Sequence, residues 1–332
     1  MPERPLLTIV VPVLNEAASV AGFLAALEPV CARVAAEHGV DCELLFVDDG
    51  STDGTGAALL ATPCAIPLGL VTLSRNFGKE AAMTAGLAEA AGDAVVVMDV
   101  DLQDPPDLVV EMVARWRAGA PVVLARRSDR TSDTFLKAQS ANWFYRLHNR
   151  ISQVQIPPNV GDFRLMDRQV VEAVNALPEN RRFMKGIFAW VGFPPEVIDY
   201  VRPVRAEGRS KFTGWKLWRF AVEGITSFSE VPLVVWTYVG FTISLTAFVY
   251  AGFIVVRTLA FGADVPGYAS LLTGVLFLGG IQILGIGVLG EYIGRIYSEV
   301  KRRPPYIVAR RDPPGPRRPG TARAQAARDA AE

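Results

Sequence analysis

Asp99-Val100-Asp101-Leu102-Gln103-Asp104 closes the aliphatic run Ala94–Asp99 in a chain of 332 residues. On an extended segment alternate side chains share a face, so Asp99, Asp101 and Gln103 are expected to point the same way. Donors that are all oxygen suit a hard divalent cation, Mg2+ or Mn2+, bridging diphosphate oxygens. A bare Asp-x-Asp is common by chance, but here it is the third acidic cluster to close a hydrophobic run. The second is Asp48-Asp49-Gly50-Ser51-Thr52-Asp53-Gly54. Asp, Gly and Ser are ordinary turn and cap residues. Two adjacent carboxylates on an aliphatic strand nevertheless exceed a turn's needs, because unpaired buried charge is costly. A ligand donating hydrogen bonds, such as a nucleobase imide, would meet that cost, and on this run alone the two readings weigh equally. The first cluster is Pro12-Val13-Leu14-Asn15-Glu16. It lacks the glycine-rich turn of a GxGxxG dinucleotide cradle. Its carboxylate could hydrogen-bond a ribose or base, although two such residues alone more readily cap a helix.

These clusters need a scaffold that brings them together. Leu6–Val13, Glu43–Asp48, Gly69–Ser74 and Ala94–Asp99 read as strands, and Ala17–Ala36, Gly54–Leu60 and Glu80–Ala91 as helices. Strand–helix alternation implies an α/β fold with a parallel sheet covered on both faces. Ligands in such sheets bind beyond the carboxyl ends of the strands, where the acidic clusters and Arg75-Asn76 fall. Residues 126–230 are less regular. They carry a basic patch (Arg126, Arg127, Arg130, Lys137), Gly161-Asp162-Phe163-Arg164, and Gly208-Arg209-Ser210-Lys211. Trp215, Trp218, Val222 and Ile225 then form an apolar stripe, expected to be an interfacial helix.

Val231–Val256 and Val265–Gly290 carry no charged residue, and each exceeds the roughly 20 residues a helix needs to cross a bilayer. Phe261–Asp264 is too short for anything but a hairpin. Lys211, Lys216 and Arg219 before the first span, and Arg295, Lys301, Arg302 and Arg303 after the second, place both flanks in the cytoplasm by the positive-inside bias. Gly290 and Gly294 hint at close helix packing, Gln282 at a hydrogen bond between helices, and the Pro- and Arg-rich tail from Pro313 at disorder. Lys and Arg balance Asp and Glu at 34 each, which argues against a nucleic-acid binder. Cys31, Cys42 and Cys64 show neither a metal-site spacing nor an even count, and read as buried apolar residues of a reducing compartment.

The segments VPVLNE, VDDGSTDGT, LSRNFGKEAA and DVDLQDP resemble inverting glycosyltransferases of family 2 with the GT-A fold. KAQSANWFYRLHNRIS, NVGDFRLMDR, FMKGIFAWVGF, GWKLWRFAVEGITSF and LGEYIGRIYSEVKRRPPYIV extend the resemblance, over residues 6–310, to the bactoprenol (undecaprenyl phosphate) glucosyltransferases, a branch near the dolichol-phosphate mannose synthases. The resemblance implies a GT-A, Rossmann-like catalytic domain with a mostly parallel sheet over residues 1–212 and an amphipathic interfacial helix over 213–230. Transmembrane helices over 231–258 and 265–293 and a basic, partly disordered cytoplasmic tail over 294–332 complete it. Pro12, Asn15, Glu16, Asp49, Lys79 and Asp99 are implied around the nucleotide sugar, and Asp99, Asp101 and Gln103 around Mg2+ or Mn2+. Arg127, Lys137 and Lys211 would face the acceptor phosphate, with Asp99, Asp101, Arg127 and Asp162 in catalysis. Asp162 reads as well as a structural partner of Arg164. Some members of the branch carry an acidic residue where this chain has Arg209. The Gln-x-x-Arg-Trp motif of processive synthases is absent, which favours single transfer.

The implied reaction is inverting transfer of a hexose, glucose from UDP-glucose foremost, onto polyprenyl phosphate at the bacterial cytoplasmic membrane. The catalytic domain would face the cytoplasm, in a homo-oligomer that the family makes a tetramer. Transfer of mannose or an aminosugar is the nearest alternative. A nucleotidyl or phosphosugar transferase is a rival of another class, as is an inactive membrane scaffold, which intact acidic motifs disfavour.

Overall fold

Residues 6–97 form their elements close to where the aliphatic runs and apolar periodicity place them. In the computed structural model, which describes residues 4–128, 160–180, 182–201, 231–261 and 267–317, β1 is Leu6–Val13, α1 Val20–His38, β2 Asp41–Asp48 and α2 Thr55–Ala61. Then come β3 (Cys64–Leu73), α3 (Lys79–Glu89), β4 (Ala94–Val97), α4 (Leu108–Arg117) and β5 (Val122–Arg127). After residue 159 follow β6 (Val160–Asp167), α5 (Arg168–Ala176), α6 (Met184–Trp190) and β7 (Pro195–Tyr200). Two long helices, α7 (Val231–Phe261) and α8 (Tyr268–Val300), precede a last strand, β8 (Val308–Arg317).

The strands make one eight-stranded sheet in the order β7-β5-β6-β4-β1-β2-β3-β8. β1 pairs in parallel with β2 and β4, β2 with β3, and β5 with β7, while β6 and β8 run antiparallel to their neighbours. This is the expected α/β architecture of the GT-A kind. Alternation along β1 buries both faces. Leu7, Ile9, Val11 and Val13 enter the core shared with Phe23, Leu24, Leu27 and Val34 of α1. Val10 faces α3, which lies so close that a Cβ on Gly86 would come within 2.3 Å of Val10 Cγ1. Dense apolar layers on both faces hold the carboxyl ends of β1, β2 and β4 in one plane.

The chain divides into two compact units, one of Met1–Asn149, Val154–Thr213 and Pro304–Glu332 and one of Arg150–Gln153 and Gly214–Arg303. The second unit contains α7 and α8. Leu233–Phe261 and Phe277–Val300 are long and apolar enough to cross a membrane. Phe248 is 81% exposed and Leu259 84%, surface that water would penalise and lipid would not. α8 runs on to Val300, past the expected end at residue 293, its last turns carrying an i,i+4 pair between Arg295 and Glu291. Among the described residues nothing lies within 4 Å of a Cβ on Gly290 or Gly294. The two helices close at Gly285, against the indole of Trp236. Gln282 is exposed on α8.

The tail is the main correction to the fold. Residues 308–317, part of which had read as disordered, pair antiparallel with β3 along the sheet edge. An edge strand needs partners on one side only, so Pro313 and Pro314 are tolerated there. The Pro314 ring fills the space over Gly69, where a Cβ would sit 3.0 Å from it. Arg311 forks onto Glu89 at 2.8 and 3.0 Å, and Ser74 N–H donates to the Ile307 carbonyl at 2.9 Å.

Candidate active site

Pro12, Glu16, Asp49, Lys79, Asp99 and Asp101 line a single cleft of about 340 Å³ at the carboxyl ends of β1, β2 and β4. Val13, Leu14, Asn76, Gly78, Ala82 and Val100 complete its wall. Asn76 had been noted only as polar, and no local signal marked Gly78 or Ala82. Asn15 serves the loops instead. In a left-handed conformation (φ 55°), its N–H donates to Ser51 Oγ at 2.9 Å and its Oδ1 accepts from Thr52 N–H at 2.8 Å.

The double-Asp run is organised without a ligand, contrary to the argument from unpaired charge. Asp48 Oδ1 accepts from Ser51 N–H at 2.8 Å. Asp49 is 3% exposed, and its two oxygens take the N–H groups of Phe77 and Gly78 at 2.7 and 2.9 Å. Backbone donors thus offset much of its desolvation. Burial still pushes the Asp49 carboxyl above the usual carboxylate range, against those two donors. Gly50 is obligatory beneath this contact, because at φ 75° a Cβ would stand 2.6 Å from the Arg75 carbonyl carbon.

The Asp-x-Asp segment also departs from its expected form. β4 ends at Val97, Val100 and Asp101 turn, and Leu102 is left-handed at φ 52°. The period-two alternation is therefore broken. Asp99 and Asp101 both reach the cleft, but Gln103 is buried, its N–H donating to Asp101 Oδ1 at 3.2 Å. Gln103 Oε1 is buried without a hydrogen-bond partner among the described residues. Among the described residues no three His, Cys, Asp or Glu side chains are grouped to hold a metal ion. Two carboxylates and an orphaned amide oxygen fit a hard cation that takes its remaining ligands from a diphosphate, as Mg2+ commonly does.

Lys79 is the electrostatic centre. Its Nζ lies 2.7 Å from Asp99 and 2.8 Å from Asp162. Desolvation alone would lower the ammonium's pKa, but the two carboxylates outweigh it and raise it. Asp162 in turn, despite burial that opposes ionisation, is held below the usual carboxylate range by Lys79 and Lys185. It pairs with Lys79 directly, and no ion pair to Arg164 forms. The Arg164 guanidinium donates to the Gly161 carbonyl at 2.8 Å and stacks 4.1 Å over Phe188. Complete burial lowers its pKa to about 10.

Glu80, next along α3, accepts Met184 N–H at 3.0 Å and ties α6 to the site. Burial, then the charge of Asp162, pushes its carboxyl up to about 7 from 4.5. A raised folded-state value means stability present below about pH 4.5 and lost as pH rises through about 7. Glu80→Gln keeps an acceptor for Met184 N–H and removes the buried charge. Its thermal midpoint is therefore expected to exceed that of the parent at pH 8 and to converge with it by pH 5. Identical midpoints at pH 8 would contradict this placement.

Arg127, at the end of β5, lies beside Tyr200 and Asp104, with Nε donating to Tyr200 Oη at 3.1 Å. Arg126 faces the rim in a fork to Asp199 at 2.6 and 2.7 Å. Lys137, Arg209, Lys211 and the stripe over 215–228 lie outside the described residues.

A family model described as glycosyl transferase family 2 matches residues 8–174. An SfII prophage-derived bactoprenol glucosyl transferase of Shigella flexneri is 50% identical over 310 residues, 91% of this chain and 97% of its own. A prophage bactoprenol glucosyl transferase homolog of Escherichia coli K12 is 48% identical over 312 residues, 92% of this chain and 98% of its own. A mannosyltransferase of Pyrobaculum calidifontis, solved with GDP-Man and Mn2+, aligns over 91% of this chain and 87% of its own at 18% identity and a TM-score of 0.41, too loosely to place residues here.

Proposed function

This chain belongs to glycosyl transferase family 2, and from that premise we propose that it moves glucose from UDP-glucose onto a polyprenyl phosphate in single, inverting transfers. The observation that carries the reading is coverage. The match to bactoprenol glucosyl transferases spans 97% of the relative's length and therefore includes the two apolar helices as well as the acidic cleft. We place those helices across the bacterial cytoplasmic membrane as a hairpin. Basic residues on both flanks put the catalytic unit on the cytoplasmic side, where nucleotide sugars and the phosphate head of the lipid meet.

In this reading Pro12, Glu16 and Asp49 surround the nucleoside, and Asp99 and Asp101 face the diphosphate. Asp99, Asp101 and Gln103 would hold Mg2+ or Mn2+, which supplies charge neutralisation at the departing diphosphate. The acceptor is a phosphate monoester, with a second pKa of about 6, and is largely dianionic at neutral pH. It needs alignment more than deprotonation, so no strong general base is required. Arg127, together with Lys137 and Lys211, offsets repulsion between the acceptor phosphate and the donor diphosphate by charge-assisted hydrogen bonds. Asp162, fixed by Lys79, faces the sugar.

Incubation of membranes containing the chain with undecaprenyl phosphate and a panel of labelled nucleotide sugars tests the donor. Label is expected in the organic phase from UDP-glucose, with GDP-mannose and UDP-N-acetylglucosamine at least tenfold poorer. Equal or greater transfer from either competitor would overturn the assignment of glucose.

A further inference from the structure

We propose that Asp104 and Tyr200 are positioning residues that hold the Arg127 guanidinium in place for transfer. The proposal rests on the reading that Arg127 serves the reacting phosphates. β5 and β7 pair in parallel with Arg127 opposite Tyr200, so the two side chains emerge side by side at the sheet's end. The strand ends are stapled there, Ser128 donating to the Tyr200 carbonyl through its N–H at 2.9 Å and its hydroxyl at 3.0 Å. The Tyr200 hydroxyl donates to Asp104 Oδ1 and accepts from Arg127 Nε at 3.1 Å. Phenylalanine can do neither, and of the neutral donors present only a hydroxyl does both through one atom.

Asp104 is 6% exposed on its side chain, and its Oδ1 stands 3.6 Å from Arg127 Nη2. Burial and the bond to Asp104 raise the Tyr200 pKa to about 12, so the hydroxyl remains a donor at working pH. Asp104 also directly follows Gln103, which ties the arginine to the same loop that presents Asp99 and Asp101. On its other side the guanidinium lies against β6, where a Cβ on Gly161 would be 3.7 Å from Nη2, one residue before Asp162. An arginine is long and rich in rotamers. Holding its Nε on the Tyr200 hydroxyl and an Nη 3.6 Å from the buried Asp104 carboxylate pre-arranges the remaining donors before substrate arrives. The neighbouring Arg126, forked to Asp199 at the exposed rim, has no comparable tie to the loop.

A double-mutant cycle on the full-length protein in lipid separates this from a merely satisfied buried tyrosine. Tyr200→Phe is expected to lower kcat about tenfold while KM for the nucleotide sugar changes less than about twofold. In an Arg127→Ala background the same substitution is expected to cost nothing further. Asp104→Asn gives an independent leg with the same cancellation, should Tyr200→Phe fold poorly. Losses that multiply in the double variant, or wild-type kcat for Tyr200→Phe, would overturn the proposal. Wild-type turnover in Arg127→Ala alone would overturn it together with the role of Arg127, whereas transfer of glucose to lipid by the parent protein would still stand.

Discussion

Asp101→Asn is expected to lower turnover by about 10³-fold with little change in stability. Asp101 is exposed in the cleft, and its one intramolecular bond is to Gln103 N–H at 3.2 Å among the described residues. Asparagine keeps that acceptor and suits a turn as well as aspartate does, so folding and membrane insertion should be unaffected. What is lost is the negative charge that would hold a divalent cation beside the leaving diphosphate. The parent enzyme should correspondingly fall silent in excess chelator and recover on addition of Mg2+ or Mn2+. Full activity in chelator, or an Asp101→Asn variant within a few-fold of the parent, would remove the cation from the account.

Lys79→Met is expected to have the next largest effect, about 10²-fold on turnover. It removes the ammonium that lies 2.7 Å from Asp99 and 2.8 Å from Asp162, and leaves those carboxylates and Glu80 to repel one another. The consequence for stability has a defined sign. Asp162 has a depressed folded-state pKa, so its contribution is present above the unfolded carboxylate value and is lost as pH falls through the folded one. The variant lacks most of that contribution. The difference in thermal midpoint between parent and Lys79→Met should therefore be widest near pH 7 and shrink below about pH 4. A gap that stays constant across this range, or turnover within twofold of the parent, would show that Lys79 does not organise the site.

Much of the catalytic unit is legible in the residues because its layers obey simple periodicities. β1 occupies Leu6–Val13, the range its aliphatic run gives, and β2, β3 and β4 overlap their runs, since each buries both faces against helices. The acidic clusters at their carboxyl ends follow from the same topology. The rest depends on partners far apart in the chain. Asp49 reads as readily as a charge in want of a ligand as it does as a turn residue, because its two donors, Phe77 and Gly78, come from another loop. Asp-x-Asp looks like a continued strand until Leu102 turns left-handed. Tyr200 lies 73 residues from the arginine it meets, on a strand with no motif of its own.

β8 was the least legible element. Prolines and charges argue against a strand, yet an edge partner requires only one hydrogen-bonded side, and Arg311 finds Glu89 more than two hundred residues earlier. This bears on how the catalytic unit can be cut. A chain ending near Phe228 would lose the strand that covers β3, together with the Ile307 carbonyl that receives Ser74 N–H just before the cleft loop.

The central claim is glycosyl transfer to a lipid phosphate, and the nucleotide that leaves tests it most directly. Purified full-length protein would be given undecaprenyl phosphate and UDP-glucose labelled in both the sugar and the β-phosphate. The account predicts that UDP leaves with the labelled phosphate while the labelled glucose enters the lipid, mole for mole. Release of UMP, with the β-phosphate carried into the lipid alongside the sugar, would contradict it and make the protein a phosphosugar transferase.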